Sequence, residues 1–154
     1  MNTLHRENAL AYLRNHNVMT LATTGPEGVW AAAVFYVNDD FNVYFLSAPT
    51  TRHSRNMAVQ PEVAATIQED YKDWPAIKGI QLEGRAFVTE GAEREAAIAR
   101  YGSKFPFIGN PGEAPDSIAD ALSKISWYKI APRRLYLIDN AFGLGHRDEI
   151  DLGS

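Results

Sequence analysis

Apolar and polar residues change period after the first fifteen positions. Leu10 and Leu13 stand three apart, while His5, Arg6, Glu7 and Arg14 are polar. That spacing predicts a helix over roughly 4–15, capped by Thr3 and ending near Asn17. From Val18 onward the pattern is one of short strands. Residues 18–24 are rich in β-branched side chains, Gly25-Pro26-Glu27-Gly28 signals a turn, and 29–37 is apolar at nearly every position. A strand apolar on both faces is expected to be covered on both sides. Asn38-Asp39-Asp40 turns the chain again, and 43–47 is the return strand of a hairpin. Pro49 ends that strand. Thr50 or Thr51 then caps a short helix through about Val59, and Pro61 blocks its continuation.

The second half continues in the same manner. Residues 63–68 form a fourth strand, and 69–75 form a polar, aromatic loop. Over 80–89, Ile80, Leu82, Gly84, Ala86 and Val88 share one face. Gln81, Glu83, Arg85, Phe87 and Thr89 share the other, which predicts a strand with one solvated side. A helix over about 92–101, a loop at 105–115 and a short helix from Asp116 to Ser123 follow. Residues 127–130 and 135–138 read as two strands separated by Ala131-Pro132-Arg133, and the polar, glycine-containing tail from 140 reads as flexible. Short strands joined by tight turns predict a mainly β protein, an antiparallel barrel with flanking helices. No repeat or linker divides the chain, so residues 1–154 are read as a single domain.

Composition narrows the chemistry. Apolar residues make up 45% and charged residues 22% of the chain, an ordinary globular balance. With no cysteine, disulfides, thiolate nucleophiles, iron–sulfur clusters and cysteine zinc sites drop out together. No apolar run approaches the ~20 residues of a membrane span, and the first residues lack the apolar core of a signal peptide. A cytoplasmic protein without membrane contact is expected. The net charge of −4 argues against general nucleic-acid binding. An anionic ligand must therefore be held by a local cluster of cations. His5 and His16 stand ~16 Å apart at helical rise, and no histidine pair has zinc spacing, so no metal site is expected. Gly143-Leu144-Gly145 begins like a dinucleotide fingerprint but lacks the third glycine and a surrounding βαβ unit.

The most informative stretch runs from Ser47 to Asn56 (Ser-Ala-Pro-Thr-Thr-Arg-His-Ser-Arg-Asn), where hydroxyls and cations gather at a helix start. The first N–H groups of a helix are unpaired and carry partial positive charge, so Arg52 there is mildly unfavourable unless an anion binds. Thr50, Thr51 and Ser54 could add hydrogen bonds, and Arg52 could clamp a phosphate. A threonine-capped surface helix with solvated arginines explains the same residues. Tyr71, Trp74, Phe105, Phe107 and Trp127 sit in or beside predicted loops, where they could stack on a flat ligand or close the end of a core.

The order of these pieces resembles the flavin-binding split-barrel superfamily that includes pyridoxamine 5'-phosphate oxidase. The matching features are the first helix and Thr20-Leu21-Ala22-Thr23, the Gly25–Gly28 turn, and the strand Ala31 to Tyr36. Val43-Tyr44-Phe45-Leu46-Ser47, Thr51-Arg52-His53-Ser54-Arg55-Asn56, Gln60-Pro61-Glu62-Val63-Ala64 and Gln81-Leu82-Glu83-Gly84-Arg85-Ala86 follow in turn. The resemblance implies an antiparallel split β-barrel that binds flavin mononucleotide (FMN) as a homodimer, with the ligand at the subunit boundary. Thr51-Arg52-His53 stands where the family holds the FMN phosphate with a Ser-Arg-Lys triplet, and Ser47 matches a nearby hydroxyl. The backbone of Ala32, Ala33, Val34, Phe35 and Tyr36 would border the flavin ring. Lys78, Gln81 and Arg147 are the candidates to face its nitrogen–carbonyl edge. The glutamine that touches the flavin in the oxidase aligns nearest Gly79, the spacing around His146 and Arg147 differs, and the oxidase's closing segment is missing. Pyridoxamine phosphate is therefore not the expected substrate.

The leading expectation is an FMN-dependent oxidoreductase acting on an unidentified small molecule, with no catalytic residue named, since the flavin supplies the electron chemistry. Related split barrels bind a deazaflavin or haem. Haem would need an axial histidine such as His53 or His146. The third possibility is a flavin-storing or sensing barrel without turnover.

Overall fold

In a computed structural model the described residues are 3–106 and 124–153 of the 154. Helix α1 (Thr3–Asn15) leads into β1 (Val18–Gly25), β2 (Gly28–Phe35), β3 (Val37–Asp39) and β4 (Asn42–Ser47). Helix α2 (Arg52–Val59) precedes β5 (Glu62–Gln68). A 3-10 turn at Trp74–Ala76, β6 (Lys78–Val88) and α3 (Gly91–Lys104) follow, then β7 (Ser126–Asp139), a second 3-10 turn at Asn140–Phe142, and β8 (Arg147–Glu149). The short helix expected over 116–123, most of the 105–115 loop and Phe107 lie outside the described residues.

Every strand pair is antiparallel. The sheet runs β2-β1-β5-β6-β7-β4-β3, with β8 added alongside β7. Its two ends, β2 and β3, are separated in the chain by Tyr36 alone. The sheet therefore has to curl until its ends meet, yet no ladder joins them. This is the split barrel, mainly β with helices outside. Tyr36 sits fully buried at that corner and donates its hydroxyl to the Leu13 carbonyl, 2.8 Å away.

The barrel interior is filled by Met19, Leu21, Phe45, Ile67, Ile80, Ile130 and Leu135, all essentially inaccessible to solvent. Alternate residues of the same strands face outward. On β4, Val43 and Phe45 enter the barrel, while Tyr44 joins Val37, Ala97, Tyr101 and Trp127 in a second apolar cluster beneath α3. On β6 the alternation read from the sequence holds through Ala86, with Val88 exposed at the strand end.

Four expectations need correction. The apolar run 29–37 is two strands rather than one, because the chain turns the barrel corner at Tyr36. Within the single chain, β2 is not covered on both sides. It ends the sheet, and Val29, Trp30 and Phe35 are exposed. The two strands expected near the C-terminus are one fourteen-residue strand, β7. Arg133 is an extra residue there, since Glu83 pairs Arg134 while Gly84 already pairs Pro132. A bulge lets proline sit inside a strand, and Gly84 is needed opposite it because a Cβ would collide with the Ala131 carbonyl. Finally, the tail is not a loose end. Residues 147–149 pair with β7, and Ile150 is buried in the main core.

Candidate functional site

Helix α2 begins where β4 ends. Thr51 is its N-cap, with extended backbone, and its hydroxyl oxygen accepts from the Ser54 N–H at 3.2 Å. The same oxygen lies 3.1 Å from Ser47 Oγ, and Ser47 Oγ shares a 2.7 Å hydrogen bond with His53 Nε2. Ser47, Thr51 and His53 are therefore one connected cluster at the positive end of a helix. Burial holds the His53 imidazole below its ordinary pKa of 6.5. It is neutral at pH 7 in the free protein.

Arg52 points from this helix end toward β2. Its Nη2 donates to the Glu27 carbonyl at 3.0 Å, its Nε lies 3.5 Å from the Glu27 carboxylate, and its guanidinium stacks on Trp30 at 4.3 Å from the ring centre. Arg55 approaches the same carboxylate at 3.6 Å. The buried Arg52 Nε has no hydrogen-bond partner. Two guanidinium groups and an orphaned donor beside a helix N-terminus fit a phosphate. Glu27, on the β1–β2 turn, is the anion they now share. Glu27 and Trp30 were not singled out from the sequence. The former read only as part of a turn and the latter as one apolar strand residue among several.

β1 and β2 reach this site because Asn56 of α2 donates to buried Thr23 on β1, at 3.1 Å. Gly25 permits that approach, since a Cβ there would collide with Asn56 Oδ1. The expected ring-bordering residues Ala32, Ala33, Val34 and Phe35 lie farther along β2, on the strand that ends the sheet. Tyr36 does not border a ligand space. It is enclosed in the core.

The other three candidates form a separate group. Gln81 Oε1 lies 3.5 Å from Arg147 Nη1, Arg147 stacks on Tyr136, and Lys78 Nζ is 3.8 Å from Asp139. Ser47 pairs with Ser126 at one end of β7, whereas Gln81 pairs with Tyr136 near the other. Ten residues of β7 separate the two groups, roughly 33 Å of strand. A single chain does not bring them together. His146 bonds Asp148 at 3.2 Å, and His5 approaches the same carboxylate at 3.7 Å. No helix of the described residues is long and apolar enough to cross a membrane.

The matching solved structures share this architecture. HutZ, the heme storage protein from Vibrio cholerae, superimposes with a TM-score of 0.71 at 22% identity, over 92% of this chain and 99% of that one. A heme-binding protein from Mycobacterium smegmatis gives 0.74 at 23% identity, over 99% of this chain and 59% of that one. Among curated proteins, a UPF0306 protein from Photorhabdus laumondii is 32% identical over 138 residues, covering 88% of each chain. The family model described as pyridoxamine 5'-phosphate oxidase matches residues 6–139, from α1 to the end of β7. The chain belongs to the pyridoxamine 5'-phosphate oxidase family.

Proposed function

We propose that the protein binds FMN and serves as a flavin-dependent oxidoreductase on a small molecule. The observation that carries this reading is the Ser47–Thr51–His53 cluster with Arg52 at the start of α2. It offers hydroxyls, helix N–H groups and an unsatisfied guanidinium donor to one phosphate. When bound, the flavin would supply the electron transfer. The chain's own part is to hold the phosphate at α2 and border the ring with the β2 backbone from Ala32 to Phe35.

Lys78, Gln81 and Arg147 would contribute from a second protomer, since in one chain they lie a strand-length from α2. The outer face of the β2-β1-β5 edge suits a second copy. Ala31 pairs Ala22, Ala33 pairs Thr20, and Ala64 and Thr66 continue the row, flanked by exposed Phe35 and Val29. Small side chains make this face smooth, and two-fold assembly is the commonest closed arrangement.

A haem reading has one observation in its favour. His146 carries a carboxylate partner, Asp148, of the kind that orients ligating histidines, and the haem-binding neighbours share the fold. His53 is less suited, being turned into its bond with Ser47. The absorption spectrum of the protein purified with its native ligand decides between them. A flavin spectrum, with FMN released on denaturation, supports the proposal, and a Soret band that is lost in His146→Ala replaces it.

A further inference from the structure

His16 follows the last residue of α1, and both of its ring nitrogens are bonded. Nδ1 lies 2.7 Å from the Tyr12 carbonyl oxygen, and Nε2 lies 2.8 Å from Glu69 Oε2. Both partners can only accept: one is a carbonyl of the last helical turn, the other a carboxylate. A neutral imidazole carries a single N–H, so it serves one partner and turns a lone pair toward the other. The imidazolium serves both. The ring also stacks on Tyr12, with centres 3.8 Å apart, a contact that favours a cation. A positive charge further suits the C-terminal end of a helix.

Glu69 belongs to residues 69–73, which follow β5 and lie in no strand or helix. Two side-chain bonds tie this stretch to the end of α1. One is the His16–Glu69 pair, and the other joins the Tyr71 and Tyr12 hydroxyls at 3.1 Å. Tyr12 donates its own proton to the Lys78 carbonyl at 2.9 Å, so Tyr71 is the donor between the two hydroxyls. Tyr71 then has no proton left for Glu69 Oε2, 3.4 Å away, and the carboxylate depends on His16. The bond to His16 holds the Glu69 carboxyl below the usual carboxylate range, and burial pushes both tyrosine hydroxyls up. Neither changes charge between about pH 5 and 8, where histidine does. The other charged groups around the ring are Lys78 from β6 and Asp139 from β7, 3.8 Å from each other, and Lys104 from α3, which donates to the His16 carbonyl. Burial pulls the Lys104 amine down to about 8. Its charge therefore fades only at the upper end of this range, and that loss favours a charged ring.

We propose that residues 69–73 are a pH-gated strap, latched onto α1 while the His16 ring carries two protons and released when it loses one. As pH rises and the ring becomes neutral, one of its two acceptors loses its donor. The Tyr71–Tyr12 bond alone then holds the strap. The latch is closed from the lowered Glu69 range up to the titration of the ring, and open above it. The hinge is fixed at the far side. Asn140 donates through its amide side chain to the Trp74 carbonyl at 3.0 Å and through its backbone N–H to the Ile77 carbonyl at 2.9 Å, so residues 74–77 stay in place. Tyr12 and His16 also line a cavity of about 270 Å³ together with Lys78, beside the strap. On the flavin reading this couples pH to a ligand-facing lysine, but the latch itself does not rest on that reading.

The test is an NMR titration of the full, ligand-free chain between about pH 5.5 and 8.5, with ¹⁵N in the histidine rings and the backbone. Ring ¹⁵N shifts distinguish the imidazolium from either neutral tautomer, and the His16 signals are those missing from His16→Gln. We expect two ring N–H groups on His16 at the lower end, together with nuclear Overhauser contacts between the Tyr12 and Tyr71 rings. At the upper end His16 should be a neutral tautomer, those contacts should weaken, and the ¹⁵N heteronuclear NOE of residues 69–73 should fall, reporting faster backbone motion. Both changes should share one midpoint, while residues 74–77 keep their order throughout. His16→Gln should show the open state at every pH. Glu69 is exposed, so Glu69→Gln keeps the fold should His16→Gln disturb it, and it should abolish the pH dependence of residues 69–73. A His16 ring that is neutral across the whole range, order in residues 69–73 that does not change with pH, or a full pH response in Glu69→Gln overturns the proposal.

Discussion

Glu27 and Arg52 set the affinity at the helix end between them. An exposed carboxylate that neutralises Arg52 and Arg55 must be displaced when a phosphate arrives. Exposed ion pairs are worth about 0.2–1 kcal/mol, so Glu27→Gln should tighten FMN binding by about 1.4- to fivefold, measured by quenching of flavin fluorescence. Unchanged or weaker binding would show that Glu27 does not compete. His53 gives a second residue-level outcome through pH. Its folded-state pKa lies below 6.5, so the unfolded chain binds more protons just below that value. Its contribution to stability is complete above about pH 6.5 and declines as pH falls below it. Urea unfolding of the ligand-free protein at pH 7.0 and 5.5 should show a smaller pH-dependent loss in His53→Asn than in wild type. The hydroxyls and cations of this cluster were legible in the sequence because all four residues lie within seven positions of one strand–helix junction. Glu27 and Trp30 were not, because they arrive from a hairpin more than twenty residues earlier, and no local pattern reports that approach.

Elements were legible wherever one period persisted. Helix α2 announced itself by the Thr50-Thr51 pair and Pro61, and β6 by its alternation. The sequence failed where tertiary geometry interrupts a run. At Tyr36 the chain passes from one end of the sheet to the other without any polar or glycine signal, because that residue is buried on all sides. At Pro132 a breaker sits within a strand because Arg133 bulges out. The packing of α2 on β1 yields its own prediction. Adding a methyl at Gly25 pushes against Asn56, whose side chain is tied to Thr23. Overpacking of this kind costs about 1–3 kcal/mol. Gly25→Ala should lower stability by that amount in urea unfolding and weaken FMN binding as α2 shifts. Wild-type stability would contradict the close approach.

Across the whole molecule, the proposed site demands a second chain. The group at α2 and the group around Gln81 lie at opposite ends of β7, and the outer face of β2 is exposed and smooth in the single chain. Ala33→Arg places a charge on that face without entering the core. It should convert a dimer to a monomer by light scattering and reduce flavin affinity together with it. A wild-type chain that is monomeric at micromolar concentration would remove this part of the account. The sequence made β2 legible as unusually apolar, while the second copy proposed to cover it rests on the family resemblance, since periodicity records burial and not its source. The central claim is that α2 holds a flavin phosphate, and it is tested most directly by comparing FMN with riboflavin, which lacks that group. Wild-type protein should bind FMN more tightly by about one to two decades, the worth of a charge-assisted contact at ~1.5–3 kcal/mol. Arg52→Ala should erase most of that difference while leaving riboflavin affinity unchanged. Equal affinity for the two flavins in wild type, or an undiminished preference for FMN in Arg52→Ala, would contradict the account.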